Sequence, residues 1–472
     1  MQRLHILVLC LLAGSLSAFA QFPEDALRVS TPGFGVGARA LGLGNAYTGV
    51  ASDFSAIYWN PAGLAQLKMG EFSAGLSHLN AGDESTFLLN NMTTSATGTA
   101  FNTIGIAHPV PVRRGSLVLA FGFQRQSMFT SGLEFSGRNS SGSIVQTWAP
   151  DGAPLTPEIS TAELLELADT TAGGTFYSPI SQRLTQGGNV TESGGLNNWS
   201  IAGAIDIGPN LSAGLTLTYA SGSYRYDRTY TEEDRQNFYA VFPYDFNSLS
   251  VVDYIDGDIS GVSAKFGIMY RVPDRLRLGI AVKTPTAYSI KETYGSSYFS
   301  VFDDGSKFSV NEDGMDDGSV EYDVRTPWVL SGGVSVALRD LLLSADVEMT
   351  DWSTMEFADA NSDLIRQNRT IASTFRSTLE YRFGLEYDIA GSGFRVRGGY
   401  GVRPSPYKDD PSDFDRTTVS VGVGLPLDAN VMLDAGYSRS TWKSYRTNYD
   451  GSPPVDEKIN WSTFLATLSY RF

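Results

Sequence analysis

Few residues in this chain are placed for covalent chemistry. Beyond the first twenty residues the histidines are His78 and His108, and neither has an acidic partner at metal-ligand spacing. The sequence holds no G-x-S-x-G, no P-loop and no H-E-x-x-H. Gly33-x-Gly35-x-Gly37 and Gly42-x-Gly44 suggest a nucleotide loop, but Tyr47 occupies the third glycine position and no strand leads in. Close packing of backbone explains these glycines more simply. What remains is binding chemistry. Arg376, Arg382, Arg395, Arg397, Lys265 and Arg277 are cations on the polar parity of alternating runs. Each could hold a ligand carboxylate. The alternative is structural, pairing with Glu380, Glu386, Asp346 and Glu348. Asn60-Pro61-Ala62 forms a turn that no regular element can cross. It is either a plain link or a gate. No catalysis, cofactor or metal is expected.

The elements that position these residues have period two. Leu276, Leu278, Ile280 and Val282 alternate with Arg277, Gly279, Ala281 and Lys283. Leu379, Tyr381, Phe383, Leu385 and Tyr387 alternate with Glu380, Arg382, Glu386 and Asp388. Such strands turn one face to an apolar medium and the other to a polar one. No mature segment has about 18 consecutive apolar residues, so no helix spans a bilayer. Charged residues are 18%, aromatics 12%, and glycines number 49, which fits a membrane β-barrel.

Fourteen strands are predicted, near 68–80, 101–110, 115–131, 197–207, 211–226, 257–272, 275–292, 319–338, 341–353, 374–389, 393–403, 415–426, 430–442 and 459–472. Short connections such as Gly208-Pro209-Asn210 alternate with long ones such as 132–196. Short turns at one rim and long loops at the other mark an outer-membrane barrel. The fold class is therefore all-β, a 14-stranded antiparallel transmembrane β-barrel. Trp199, Tyr219, Trp328, Tyr437, Tyr470 and Phe472 fall near strand ends, as interfacial girdles do. Gly122 is a candidate kink in the third strand.

Residues 1–20 read as a secretory signal, with Arg3, the apolar run Leu4 to Leu12, and Ala18-Phe19-Ala20 as the cleavage site. Cys10, the single cysteine, would leave with it. Residues 21–67 read as a hatch inside the barrel, and 68–472 as the barrel. Within the largest loop, 132–196, Ala162 to Ala168 predicts a helix capped by Thr161. The net charge of −16 excludes nucleic acid as a partner. Acidic residues cluster at loop positions such as Asp303-Asp304 and Asp409-Asp410, either as solvated tips or as bridges for divalent cations.

Several stretches resemble the FadL/TodX outer-membrane transporters. Residues 37–65 are similar to their N-terminal plug, including Asn60-Pro61-Ala62. Thr326-Pro327-Trp328, Asp346 to Trp352, Tyr381 to Gly384, and Arg397 to Tyr400 resemble their later strands. The resemblance implies a barrel occluded by a hatch in the bacterial outer membrane. It implies passive uptake of hydrophobic small molecules such as long-chain fatty acids, through an outer groove, an inner pocket and a side opening. It makes Asn60, Pro61 and Ala62 the gating candidates, with a plain link from plug to first strand as the alternative. Arg397, within Arg-Gly-Gly-Tyr, is the first choice for the carboxylate, ahead of Arg382, Arg376 and Arg395. Outer-membrane lipid and the small-molecule ligand are the expected partners. A related branch serves protein secretion, so a barrel binding a protein partner is the alternative.

Overall fold

The computed structural model describes residues 23–148, 157–171, 174–241, 245–273, 275–315 and 317–472. The expected signal at 1–20 lies outside them.

Fourteen antiparallel strands close on themselves. They are β1 (Glu71–Phe87), β2 (Asn90–Pro109), β3 (Leu117–Met128), β4 (Leu184–Gly208), β5 (Leu211–Glu233) and β6 (Phe246–Val272). Next come β7, in two pieces (Leu276–Lys283 and Ala287–Phe302), and β8, also in two (Gly318–Arg325 and Val329–Leu338). The remainder are β9 (Leu341–Asp351), β10 (Ser377–Asp388), β11 (Arg395–Arg403), β12 (Arg416–Pro426), β13 (Val431–Thr447) and β14 (Pro454–Arg471). Pairing of β1 with β14, from Glu71↔Arg471 to Thr86↔Asp456, seals the cylinder. Closure leaves no free edge, which a lipid environment requires.

Alternation sets the two faces. Trp199, Ile201, Ile205 and Ile207 of β4 are exposed, as are Leu379, Tyr381, Phe383, Leu385 and Tyr387 of β10. Their neighbours Ser200, Arg382 and Glu386 are buried. The exposed parity is thus the lipid face and the buried parity the lumen. The apolar belt is short. On β2 it runs from Phe101 to Ile106, and beyond it Thr99, Thr97 and Ser95 point outward. Strands such as β5, with 23 residues, therefore continue well past the ~10 needed to cross a bilayer.

This extension accounts for several differences from expectation. Part of the predicted loops 132–196, 227–256, 293–318 and 443–458 is strand that projects above the membrane. β1 and β2 meet at Leu88-Leu89, both in the left-handed region (φ 50° and 69°). That is a two-residue hairpin turn without its usual Asn-Gly. Above the belt, Phe87, Phe135, Leu165, Tyr230, Phe246 and Phe302 join one apolar core that caps the outer end. The helix expected at 162–168 instead spans Pro157–Leu164, with Thr161 inside it rather than capping it. β3 runs regularly through Gly122, and its register shifts at Arg125/Ser127. The strands expected at 275–292 and 319–338 are each interrupted, at Thr284–Thr286 and Thr326–Trp328. Pro285 and Pro327 have no N–H to give a ladder, so a continuous central strand fails there.

Residues 23–67 contain no strand. Three short helices, α1 (Pro23–Ser30), α2 (Ala38–Gly42) and α3 (Ala56–Trp59), lead to a 3₁₀ turn at Pro61–Gln66. Tyr47, Phe54, Ile57, Ala62 and Leu64 are fully or almost fully buried. They pack with lumen-face residues Ala107, Val118, Ala202 and Met269 of four strands.

Candidate functional site

Residues 33–67 rest on the lumen wall through a small set of polar contacts. Asn60 caps the 3₁₀ turn, its Oδ1 accepting from Ala62 N at 3.1 Å. Its Nδ2 donates to Thr48 O at 3.1 Å and to Ile268 O of β6 at 3.3 Å. Pro61 suits the first helical position, where no N–H is needed. Beneath this turn the wall is flat because Gly214, Gly267 and Gly279 come together. A Cβ on Gly267 would lie 2.1 Å from Asn60 Oδ1, and one on Gly214 would lie 2.4 Å from Pro61 C. Asn60, Pro61 and Ala62 therefore sit together as a seat between the N-terminal segment and the wall.

Carboxylates of the wall hold the rest. Asp346 Oδ2 accepts from Tyr47 N at 2.8 Å and Thr48 N at 2.6 Å. Glu71 Oε1 accepts from Phe54 N at 2.8 Å. Glu386 takes Arg39 as a two-toothed fork, at 2.8 and 2.7 Å. Backbone N–H groups of the irregular stretch between α2 and α3 are thus satisfied from the barrel.

The expected carboxylate-binding arginines fall in different places. Arg397 is fully buried between Glu386, at 2.6 Å, and Asp434, at 2.7 Å. Arg382 lies between Glu380, at 2.7 Å, and Glu348, at 3.1 Å. Arg395 pairs with Asp388 at 2.8 Å beside the short turn at 389–394. Arg376 stands just before β10 and donates to Ser405 O at 3.0 Å. Arg397 and Arg382 thus meet carboxylates named in the structural alternative, Arg395 meets a different one, and Arg376 bonds backbone. His78 meets Thr99 on the exposed face, and His108 stacks against Phe472, with centroids 6.1 Å apart.

Between α1, α3 and the wall lies a cavity of about 80 Å³. Ser30, Gln124, Gln126, Ser200, Thr216 and Ser331 line it, with Lys265, Lys283, Glu348, Arg382 and Arg403. Lys265 of β6 and Lys283 of β7 are direct cross-strand partners. Among the described residues no carboxylate reaches salt-bridge distance of either, since Glu348 binds Arg382 instead. Lys265 donates to Tyr58 O. Two like charges facing across a ladder repel. The polar parity of 276–283 already placed Lys283 on this face. Arg39, missed in the sequence, was visible there as the lone charge in a Gly- and Ala-rich run.

Above the cavity the wall and α1 share an apolar cluster, beside which Arg28 of α1 pairs with Asp25 and lies over the Tyr224 ring. Val29, Tyr224, Ile259, Tyr288, Tyr322 and Phe357 belong to one cluster. The lumen thus presents a packed aromatic cluster above a cavity lined by Lys265, Lys283, Arg382 and Arg403.

A sealed cylinder with a lipid-facing belt and an N-terminal segment seated in its bore defines an occluded outer-membrane barrel. Residues 183–472 match the family described as outer membrane protein transport protein (OMPP1/FadL/TodX), and the chain belongs to that family. It is a bacterial outer-membrane protein of a transporter family, not of an enzyme family. It is 23% identical over 231 residues to a 47 kDa outer membrane protein of Pasteurella multocida (strain Pm70), covering 47% of this chain and 53% of that protein. The match thus spans about half of that relative. The toluene transporter TodX of P. putida has the same fold, with a TM-score of 0.56 at 12% identity over 93% of this chain and 99% of its own. A FadL homologue of Pseudomonas aeruginosa gives 0.55 at 15% identity over 94% and 99%.

Proposed function

We propose that this protein carries hydrophobic small molecules with an anionic head, such as long-chain fatty acids, passively across the outer membrane, with residues 23–67 as the gate. The observation that carries the reading is the cross-strand pair Lys265 and Lys283, without a salt-bridge partner among the described residues, beneath an aromatic cluster. A carboxylate placed between the two ammonium groups relieves their repulsion and forms charge-assisted bonds. A tail admitted among the aromatic residues above contributes about 0.8 kcal/mol per buried methylene. The lysines thus take the role expected of Arg397, Arg382, Arg376 and Arg395. The toluene carried by TodX has no charged head, so a cationic chamber favours a different cargo class here.

Passage needs movement. A cavity of about 80 Å³ is smaller than the ~150 Å³ that holds benzene. Displacement of the seat at Asn60-Pro61-Ala62 supplies the room.

The test is uptake of radiolabelled oleic acid and of toluene by a host lacking its own transporter. Lys265→Met with Lys283→Met is expected to lower oleic acid uptake about tenfold and to leave toluene unchanged. Equal loss of both, or of neither, rejects the head-group reading. A protein partner co-purifying in stoichiometric amount, with no ligand uptake, favours the secretion-type alternative.

A further inference from the structure

The outward face of β13, β14, β1 and β2 changes character along one line. Tyr437, Phe464, Leu76 and Phe101 stand exposed on its membrane side. Beyond it, one cross-strand row holds Arg439, Ser462, Asn80 and Thr97. Arg439 is the first outward residue above Tyr437, and it is exposed. Among the described residues no carboxylate or other acceptor engages it. An aromatic girdle marks the edge of the hydrocarbon, so a cation one step above it stands at the level of lipid headgroups. The chain has a net charge of −16, so this arginine is no by-product of a basic surface.

Two more outward cations lie above it. Lys443 and Lys458 are direct cross-strand partners, like charges face to face. Each bridges an acid on its far side, Lys443 with Asp413 at 2.6 Å and Lys458 with Glu84 at 3.0 Å. The lysine side chains are each 51% exposed, and bridges this exposed are readily exchanged for another anion. An anion between the two ammonium groups relieves their repulsion. Lys443 is about 13 Å further along β13 than Arg439, at the rise of an antiparallel strand. One phosphate cannot span that distance, so the two places call for two. The interval holds Thr441 and Asn460, joined at 3.2 Å, and Ser462, which bonds Tyr437 OH at 3.1 Å. These are hydroxyl and amide groups suited to a sugar.

We propose that this face docks an outer-leaflet glycolipid with two phosphates on its sugar head, the lipid A part of lipopolysaccharide. One phosphate meets Arg439, whose guanidinium fits it as a fork. The other lies between Lys443 and Lys458. The sugar faces Thr441, Asn460 and Ser462, and the acyl chains run down over Tyr437 and Phe464. The docking face is on the outside of the cylinder and is independent of what the bore carries.

The test is native mass spectrometry of the purified protein in detergent with diphosphoryl lipid A, monophosphoryl lipid A or phosphatidylglycerol. Wild type is expected to hold one diphosphoryl lipid A, with the monophosphoryl form about tenfold weaker and phosphatidylglycerol weaker still. Arg439→Ser, and Lys443→Ser with Lys458→Ser, should each weaken diphosphoryl lipid A about fivefold. Arg225→Ser is the control, since it removes an exposed arginine of β5 that pairs with Asp256, away from this face. It should leave binding unchanged. Heat-modifiable gel migration reports that each variant is folded. Phosphatidylglycerol binding as tightly as diphosphoryl lipid A overturns the proposal. So does unchanged binding in Arg439→Ser, or a loss in Arg225→Ser as large as in Arg439→Ser.

Discussion

The guanidinium of Arg39 and the carboxylate of Glu386 face each other as fork and fork, with Nε to Oε2 at 2.8 Å and Nη2 to Oε1 at 2.7 Å. One belongs to the N-terminal segment in the bore and the other to the wall. Glu386 also receives Arg397 Nε at 2.6 Å, so one carboxylate ties the hatch into the ion pairs of β11 and β13.

Arg39→Ala breaks this tie. Removing one partner of a buried pair costs about 3–5 kcal/mol, and the lower end applies because Arg397 still neutralises Glu386. The expected result is a folded barrel with a loosened hatch. Faster amide exchange at residues 38–52 and higher planar-bilayer conductance are the measurements.

Asn60→Ala removes three hydrogen bonds at the seat. At about 1 kcal/mol each, the loss is about 3 kcal/mol, all of it local to the hatch. Heat-modifiable migration should be unchanged while oleic acid uptake changes severalfold. Unaltered uptake speaks against a gate at this turn.

Gly267→Ala acts on the same seat from the wall, because its new Cβ meets Asn60 Oδ1. The combination with Asn60→Ala should be milder than the sum of the two, since the closest clash goes with the amide and only the one with Pro61 Cδ, at 2.9 Å, is left. A double-mutant cycle on conductance reads the coupling.

The outer cap should weaken as pH rises. Glu232 lies at the far end of β5, beyond the membrane belt, and accepts from Ser143 Oγ at 2.5 Å, Ile144 N at 2.8 Å, Gln186 Nε2 at 2.8 Å and Tyr230 OH at 2.8 Å. Burial raises its carboxyl above the ordinary 4.5 despite these donors. The folded cap therefore holds its proton more tightly than the unfolded one, and stability falls between pH 4.5 and the raised value. Limited proteolysis of 140–182 should be slower at pH 4.5 than at pH 8, and Glu232→Gln should flatten the difference.

Much of this was readable before the structure. Alternation from Leu379 to Asp388 gave strand, face and membrane location together, because a period of two cannot place apolar and charged residues otherwise. The glycines at 214, 267 and 279 were not readable as a seat. They lie on three strands, and only the register brings them under Asn60. Arg397 shows the same limit. Its parity put it in the lumen, but whether it meets ligand or Glu386 depends on a residue eleven positions away across a hairpin. Leu88-Leu89 hid the β1–β2 turn, since neither residue type signals a positive φ. Pro285 and Pro327 did carry the signal for a broken strand.

The segment in the bore is bound by side chains such as Glu386, Asp346 and Glu71 and by a patch of glycines, while neighbouring barrel strands pair with one another through their own backbones. Occupancy of the channel and integrity of the cylinder are therefore separable properties. Lesions at the seat should reveal themselves as cells newly sensitive to bulky antibiotics. The protein itself should still be inserted in normal amounts, so a screen for its disappearance would overlook them.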